Sequence, residues 1–399
     1  MKRSAFLLVL CSVATWCACG GGSSSTPNTS VNPNLSHIKD RVFVSNYFSG
    51  NIQVVDATQN AISFTTIGSG AGASNMIPSP DKKTTLVINQ TAGNITPISN
   101  ATEFLVAGAT TSIAIAGFTE SVALASDNKT GYAAIRNFNN GVGVALGAVQ
   151  KFDYTTGTVS STIPVPAARW LALNHAGNKL LVMSDTTDTV MLIDLSATTP
   201  APVALTATFS RPVAAFFSTD DSTAYVVNCG PECGGIQAGI SEFTFSSNSI
   251  TRTVNLSSAR VATVNGTTMY VAGSPSGSGG TAQSVDLGAF TASAPVTIGN
   301  GQKYVIKNLA SKVWIGSINC GAGGCLSLWD PSGTPVTVDD PVGGQASKGD
   351  VTGFDLITSS NRMFVAEGGE LRVYDLNLKE EATNMDVVGR AYDVLYVPQ

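Results

Sequence analysis

Charge is scarce in this chain. Charged residues make up 12% of its 399 positions, and histidine occurs only twice. So thin a supply of charge fits poorly with long solvated helices or a disordered polar tail. The net charge of −5 argues against a generally basic nucleic-acid surface, and it falls to −7 if Lys2 and Arg3 leave with a leader. The apolar run from Ala5 to about Trp16 is too short to cross a bilayer as a helix. Enzyme motifs are also missing: there is no Gly-x-Ser-x-Gly elbow, no metal-binding histidine pair, no phosphate loop, no EF-hand loop and no haem-attachment sequence. No catalytic residue, metal or cofactor is therefore expected. Glycine is plentiful, with 40 residues set among many serines and threonines. That is the composition of an all-β protein, short strands joined by turns.

The first residues, "MKRSAFLLVLCSVATWCACGGGSSSTPNTSVNPN", run from a basic start through an apolar core to a small residue before Cys19, then into a Gly/Ser/Thr/Pro/Asn stretch. This resembles a bacterial lipoprotein signal. The resemblance implies cleavage after residue 18, a diacylglycerol on Cys19 that anchors the chain to a membrane, and a flexible tether to residue 38. Gly20 after the lipidated cysteine implies sorting to the outer membrane of the cell envelope, periplasmic or surface-facing. Trp16 and Cys17 depart from the usual pattern, so ordinary secretory cleavage is the alternative.

Beyond Cys11, Cys17 and Cys19 the chain has four cysteines, Cys229 and Cys233 in "NCGPECGG" and Cys320 and Cys325 in "NCGAGGCLS". In an oxidising compartment each close pair is read as a local disulfide across a Gly-rich loop. A shared four-thiolate zinc site is the alternative.

Repetition sets the fold. "RVFVSNYFSGNIQVVDATQNAISFTTI" at 41–67 gives strand, loop, strand, turn, strand, and the pattern recurs with equivalent strands ending near Asp56, Ser99, Asp153, Asp194, Thr244, Asp286, Asp330 and Asp375. Between the copies lie short apolar runs such as "SVALAS", "WLALN", "VAAFF" and "AYDVLYV", each followed by a polar turn. Four antiparallel strands per copy, over roughly 40 to 50 residues, are a β-propeller blade. "VFVSNYFSGNIQVVDATQN" and "RPVAAFFSTDDSTAYVVN" resemble the YVTN-type propeller repeat of the lactonase-like superfamily, over about residues 39–399. Residues 40–399 divide into eight blades of about 45 residues, with seven blades as the alternative. The last strand, in "RAYDVLYVPQ", is expected to complete the first blade and leave no open sheet edge.

The residue before each inner strand belongs at the mouth of the central channel. Copy by copy this position holds Asn75, Glu120, Arg169, Arg211, Arg260, Lys303, Asp350 and Arg390, so five of the eight are cationic in an acidic chain. Convergent cations suit an anionic small molecule or glycan. Equally, they could pair with Glu120, Asp350, Asp339, Asp340 or Asp393 and fasten neighbouring blades together. The same face is expected to carry the enlarged loops, including both cysteine brackets, whereas the opposite face has tight turns. Asp residues ending the recurring strands are read as turn formers. Trp170 and Trp314 are read as core, and the single Trp329-Asp330 pair is no WD-repeat signal. His37 falls in the tether and His175 in a turn on the face opposite the cations. The function expected is a binding or interaction module acting as a monomer. The alternatives are a hydrolase using carboxylates, with Glu120 and Asp350 the acids at the ring position, and a scaffold for another envelope protein.

Overall fold

The computed structural model describes residues 38–102, 112–138, 147–184, 186–275, 279–320, 325–333, 337–339, 342, 348–377 and 380–398. The leader, Cys19, His37 and most of the tether lie outside these residues.

From Asp40 onward the described residues form eight antiparallel sheets arranged as the blades of a propeller. Their inner strands, in order of blade, are Ala391–Pro398, Ala73–Pro78, Ser121–Leu124, Trp170–Leu173, Pro212–Phe217, Val261–Asn265, Gln302–Leu309 and Val351–Ile357. Third strands end at Asp56, Ser99, Asp153, Asp194, Thr244, Asp286, Asp330 and Asp375, matching the sequence repeat at every copy. In blade 6 the outer position is shared by two short strands, Thr291–Ala292 and Val296–Ile298, both pairing with Gly280–Asp286. Pro295 between them lacks an N–H for the ladder, which explains the break.

The second strand of each blade is buried on both faces, and this is why it reads as a continuous apolar run. In Asp40–Asn46, Val42 and Val44 pack toward blade 8 with Phe364, Ala366 and Val373, while Phe43 packs toward blade 2 with Val87 and Ile98. Alternate side chains of a single strand thus join two different blades. Outer strands such as Thr158–Pro164 are mostly exposed and carry threonines and serines instead.

Ring closure follows from Ala391–Pro398 pairing with Asp40–Asn46 over seven positions, as the first-blade reading requires. Buried amides of Asn46 and Gln53 donate to the Val387 carbonyl at 2.8 and 2.7 Å, tying the two ends of the propeller sequence together. Each inner strand still has one backbone edge facing the channel, and the side chains of the adjacent blade satisfy parts of it. Met76 N–H donates to Asp393 Oδ2 (2.8 Å), Tyr396 N–H to Asp355 Oδ2 (2.8 Å), Leu171 N–H to Ser121 Oγ (3.1 Å), and Lys307 Nζ to the Phe354 carbonyl (2.6 Å). Such contacts replace the water that an open edge would need.

Candidate functional site at the channel mouth

The inner strands all start at the same end of the channel, and two cavities open there. The larger, of about 530 Å³, is lined by Asn75, Gln90, Glu120, Arg169, Trp170, Arg260, Gln302, Lys303 and Tyr304 with apolar neighbours. The smaller, of about 260 Å³, is lined by Phe48, Asp350, Thr352, Gly368, Gly369, Gly389, Arg390 and Ala391. Between them, Tyr304 of blade 7 and Tyr392 of blade 1 meet hydroxyl to hydroxyl past the inner strand of blade 8. Burial raises the pKa of both phenols, so both stay protonated and available as hydrogen-bonding groups.

The cations of the mouth do not form one uniform ring. Arg169 donates through Nε to Glu120 Oε2 at 2.7 Å, joining blades 4 and 3, and its guanidinium lies 4.3 Å from the Trp170 ring centroid. Arg260 approaches the same indole at 5.7 Å and directs a nitrogen at Cys233 Sγ, 2.7 Å away. Lys303 is 1% exposed. Its ammonium donates to the Gly299 carbonyl, to the Asn300 carbonyl at 3.0 Å and to Ser317 Oγ at 3.0 Å, so it is committed to the loop before its own strand.

Arg211 is not among the residues lining either cavity. Its backbone is in the left-handed region (φ 54°), its N–H donates to Asp188 Oδ1 at 3.0 Å, and its Nε sits 3.7 Å from the same oxygen. Asp188 belongs to blade 4, so this arginine fastens blade 5 to its neighbour, with a partner that the sequence did not single out. Arg390 opens into the smaller cavity, 6.0 Å from Tyr47 and 5.9 Å from Tyr392. Asp350 is in that cavity too and accepts the Asn319 N–H at 2.7 Å. Glu120 and Asp350, the two acids of the sequence-based hydrolase reading, therefore line different cavities.

Both cysteine brackets are disulfides, Cys229–Cys233 with Cα atoms 5.7 Å apart and Cys320–Cys325 at 5.5 Å. One belongs to blade 5 and the other to blade 7, so the four thiols do not form one zinc site. The first bracket closes a short 3₁₀ turn, Gly230–Cys233. Gly230 (φ 65°) has the Ala238 backbone so close that a Cβ would collide with it. Ser210 Oγ accepts the N–H groups of Ile236 and Gln237 at 2.9 and 3.0 Å, pinning the remainder of the loop. Residues 139–146, 276–278 and 321–324, which make up much of the other enlarged loops, lie outside the described residues.

Two parts of the site were not read from sequence. Trp170 was assigned to the core, but it is only partly buried and forms cavity wall beneath two arginines; Trp314, 2% exposed, is core as expected. Glu232, inside the "CGPEC" bracket, accepts the Ser274 N–H at 2.8 Å through one oxygen, while the other is buried without a hydrogen bond. Burial raises its pKa against the pull of Arg260 and Lys303. An acid enclosed by a disulfide bracket was the available signal.

His175 lies at the other end of the channel, its Nδ1 2.8 Å from Asp221 Oδ1, beside a groove of about 490 Å³ that includes Phe216, Phe217 and Tyr225. The recurring aspartates form turns as expected. Asp56, Asp153 and Asp194 each accept from the N–H and hydroxyl of the residue two positions on, at 2.5–2.9 Å.

No known protein-family profile matches the chain, and no curated protein sequence does. Solved structures with the same fold do match. A structure described as dihydro-heme d1 dehydrogenase NirN in complex with DHE is similar over 90% of this chain and 75% of its own, at TM-score 0.66 and 12% identity. A putative 6-phosphogluconolactonase from Bacteroides fragilis is similar over 92% of this chain and 99% of its own, at TM-score 0.54 and 12% identity. A protein of unknown function from Desulfotomaculum acetoxidans covers 90% of this chain and 98% of its own, at TM-score 0.53 and 13% identity. The chain is an eight-bladed β-propeller. At these identities the likeness concerns the fold, and activity has to be argued from the residues at the mouth.

Proposed function

We propose that the protein is an exported propeller, lipid-anchored at Cys19 in the outer membrane, whose larger mouth cavity binds an anionic ligand with a flat or ring-shaped body. The observation that carries this reading is the placement of Arg169 and Arg260 on the one exposed indole of the cavity, Trp170. Guanidinium groups placed beside an aromatic ring are pre-ordered, match a carboxylate or phosphate in shape and charge, and lose little entropy when they bind one. Gln90, Gln302 and Asn75 add neutral donors and acceptors along the wall. A cavity of about 530 Å³ suits a small molecule or the end of a glycan. The structural neighbours, a dihydro-heme d1 dehydrogenase and a putative 6-phosphogluconolactonase, add a dihydro-heme d1 and a phosphorylated sugar lactone to the ligands worth screening.

Glu120 has two roles in this reading. It holds Arg169 in place while the site is empty, and it yields part of that arginine to an incoming anion. A hydrolytic role using Glu120 together with Asp350 has less support, since the two are in separate cavities and Glu120 is engaged by Arg169.

Thermal unfolding of the protein against sugar acids, sugar phosphates, sulfated glycans, lactones and tetrapyrroles, at low and high salt, tests the proposal. One anionic class should raise the midpoint in a salt-sensitive way, by mass action, and Arg169→Met with Arg260→Met should abolish that rise. A panel that leaves the midpoint unmoved would overturn it and direct the search to protein partners on the disulfide-pinned loops. For the anchor, Cys19→Ser should release the protein from the membrane fraction.

A further inference from the structure

The smaller cavity has a chemistry of its own. Among the described residues, the Arg390 side chain contacts two aromatic faces and no carboxylate. Neither an acidic partner nor a set of carbonyls surrounds its guanidinium among the described residues. Asp350 shares the cavity but forms no ion pair with Arg390. Its Oδ1 takes the Asn319 N–H, and among the described residues no group donates to Oδ2. Opposite charges thus face one small space without neutralising each other.

Apolar surface completes the lining. Phe48 is 71% exposed, packs edge-on against Tyr47 at 5.9 Å, and Tyr47 stacks on Tyr392 at 5.5 Å. The floor is backbone: Gly368 (φ 64°) and Gly369 (φ 90°) take conformations unfavourable to other residues, and a Cβ on Gly368 would collide with the Lys348 carbonyl. At about 260 Å³ the cavity falls just below the roughly 300–1,000 Å³ of drug-sized ligand sites, so it suits a very small molecule.

Charge decides among small molecules. A simple carboxylate gains Arg390 but brings a second negative charge beside Asp350, and a simple amine meets the reverse problem with Arg390. A molecule carrying both charges satisfies both walls, and an apolar side chain on it would cover Phe48. We propose that the cavity between blades 8 and 1 is a second binding site, separate from the larger one, for a free α-amino acid with an apolar side chain. Its carboxylate pairs with the Arg390 guanidinium, its ammonium with Asp350 Oδ2, and its side chain lies against Phe48.

Titration calorimetry on the full chain with L-phenylalanine and L-leucine tests this, with 3-phenylpropionate, phenethylamine and inorganic phosphate as comparators. L-Phenylalanine should bind, with 3-phenylpropionate and phenethylamine each weaker by about tenfold or more, as expected for loss of a charged hydrogen-bonding partner. Arg390→Met and Asp350→Asn should each weaken L-phenylalanine by a similar factor, and Asp350→Asn should improve 3-phenylpropionate relative to the unmodified protein. Phe48→Ala, at an exposed position, provides the test if Arg390→Met fails to fold, and should also weaken binding. The assignment is overturned if L-phenylalanine does not bind, if 3-phenylpropionate or phosphate binds as well as it does, or if its binding is indifferent to Asp350→Asn and Phe48→Ala. Because Arg169 and Arg260 take no part, failure here is separable from failure of the larger site.

Discussion

The two ends of the channel commit their polar side chains differently. Where the inner strands begin, charged groups reach across to the next blade, as in Arg169 with Glu120 and Arg211 with Asp188. Where the inner strands end, carboxylates mostly serve their own turns. Asp81 accepts from Ser79 Oγ and the Lys83 N–H, and Asp220 from Ser218 Oγ and from the Ser222 N–H and hydroxyl. Asp221 is an exception at that end, accepting from Asn174 and from the backbone of His175 and Ala176 in blade 4. Even there, its backbone donors are fixed parts of a turn. A fixed turn specifies folding locally, whereas a long guanidinium between blades can exchange one anion for another. The mouth is for that reason the better place to bind something.

The largest expected effect in this comparison comes from breaking the cross-blade pair. Arg169→Met leaves the partly buried Glu120 without its counter-charge, and stability should fall by about 1–3 kcal/mol. Arg169→Met with Glu120→Gln should recover part of that loss, and the double-mutant cycle from denaturant melts gives the coupling directly. If the cycle shows no coupling, the mouth pair is merely a surface ion pair and the contrast between the two ends weakens.

Next in size is the Cys229–Cys233 bracket. Closing so short a loop is worth about 2 kcal/mol in the chain-entropy picture. The bracket also holds Glu232 and abuts Arg260, so Cys229→Ser with Cys233→Ser should cost about that stability and weaken any ligand of the larger cavity. A change in stability with undiminished binding would show that the bracket is structural only. At the far end the unit is smaller. Asp153→Ala should cost about 0.5–1.5 kcal/mol, the worth of one turn's hydrogen bonds, and should leave binding at the mouth untouched.

Much of this was legible in the sequence, for identifiable reasons. Blade number and register came through because the third strand ends in a turn aspartate in most copies and the second strand is buried on both faces. A turn such as Asp56-Ala57-Thr58 needs only local chemistry, so it appears in the sequence where it acts. The mouth is different. The position before the inner strand was locatable in most copies, although Asn75 and Lys303 fall inside their strands, Ala73–Pro78 and Gln302–Leu309, and whether the side chain enters the channel depends on neighbours from other blades. Arg211 is turned aside by its own left-handed backbone and by Asp188, 23 residues earlier. Lys303 is drawn down by the carbonyls of Gly299 and Asn300. Trp170 reads as core because strand periodicity does not distinguish a face packed on another blade from one lining a cavity. Partners that are distant in sequence, chosen by ring geometry, leave no periodic trace.

The smallest effect, and the one that most sharpens the contrast, is in pH. At the far end, hydrogen bonds from Ser218 and Ser222 lower Asp220 from 3.8 to about 2. A carboxylate lowered on folding contributes stability that is present above its unfolded pKa and is lost as pH falls through the folded one, here between about pH 4 and 2. Glu232 at the mouth is shifted the other way, chiefly by burial. The folded protein holds that proton more tightly than the unfolded chain, so its contribution favours folding in acid and is lost as pH rises from the ordinary value of 4.5 through the raised one. Asp220→Asn should flatten the acid limb of the stability profile without changing its upper limb, and Glu232→Gln should do the reverse. Unfolding midpoints collected from pH 2 to 8 measure both. If Glu232→Gln leaves the profile above pH 4.5 unchanged, the carboxyl is solvated and the mouth has no strained acid. If the profile flattens, binding of an anion beside Arg260 should become tighter with Glu232→Gln, because a negative charge competing for that arginine has been removed.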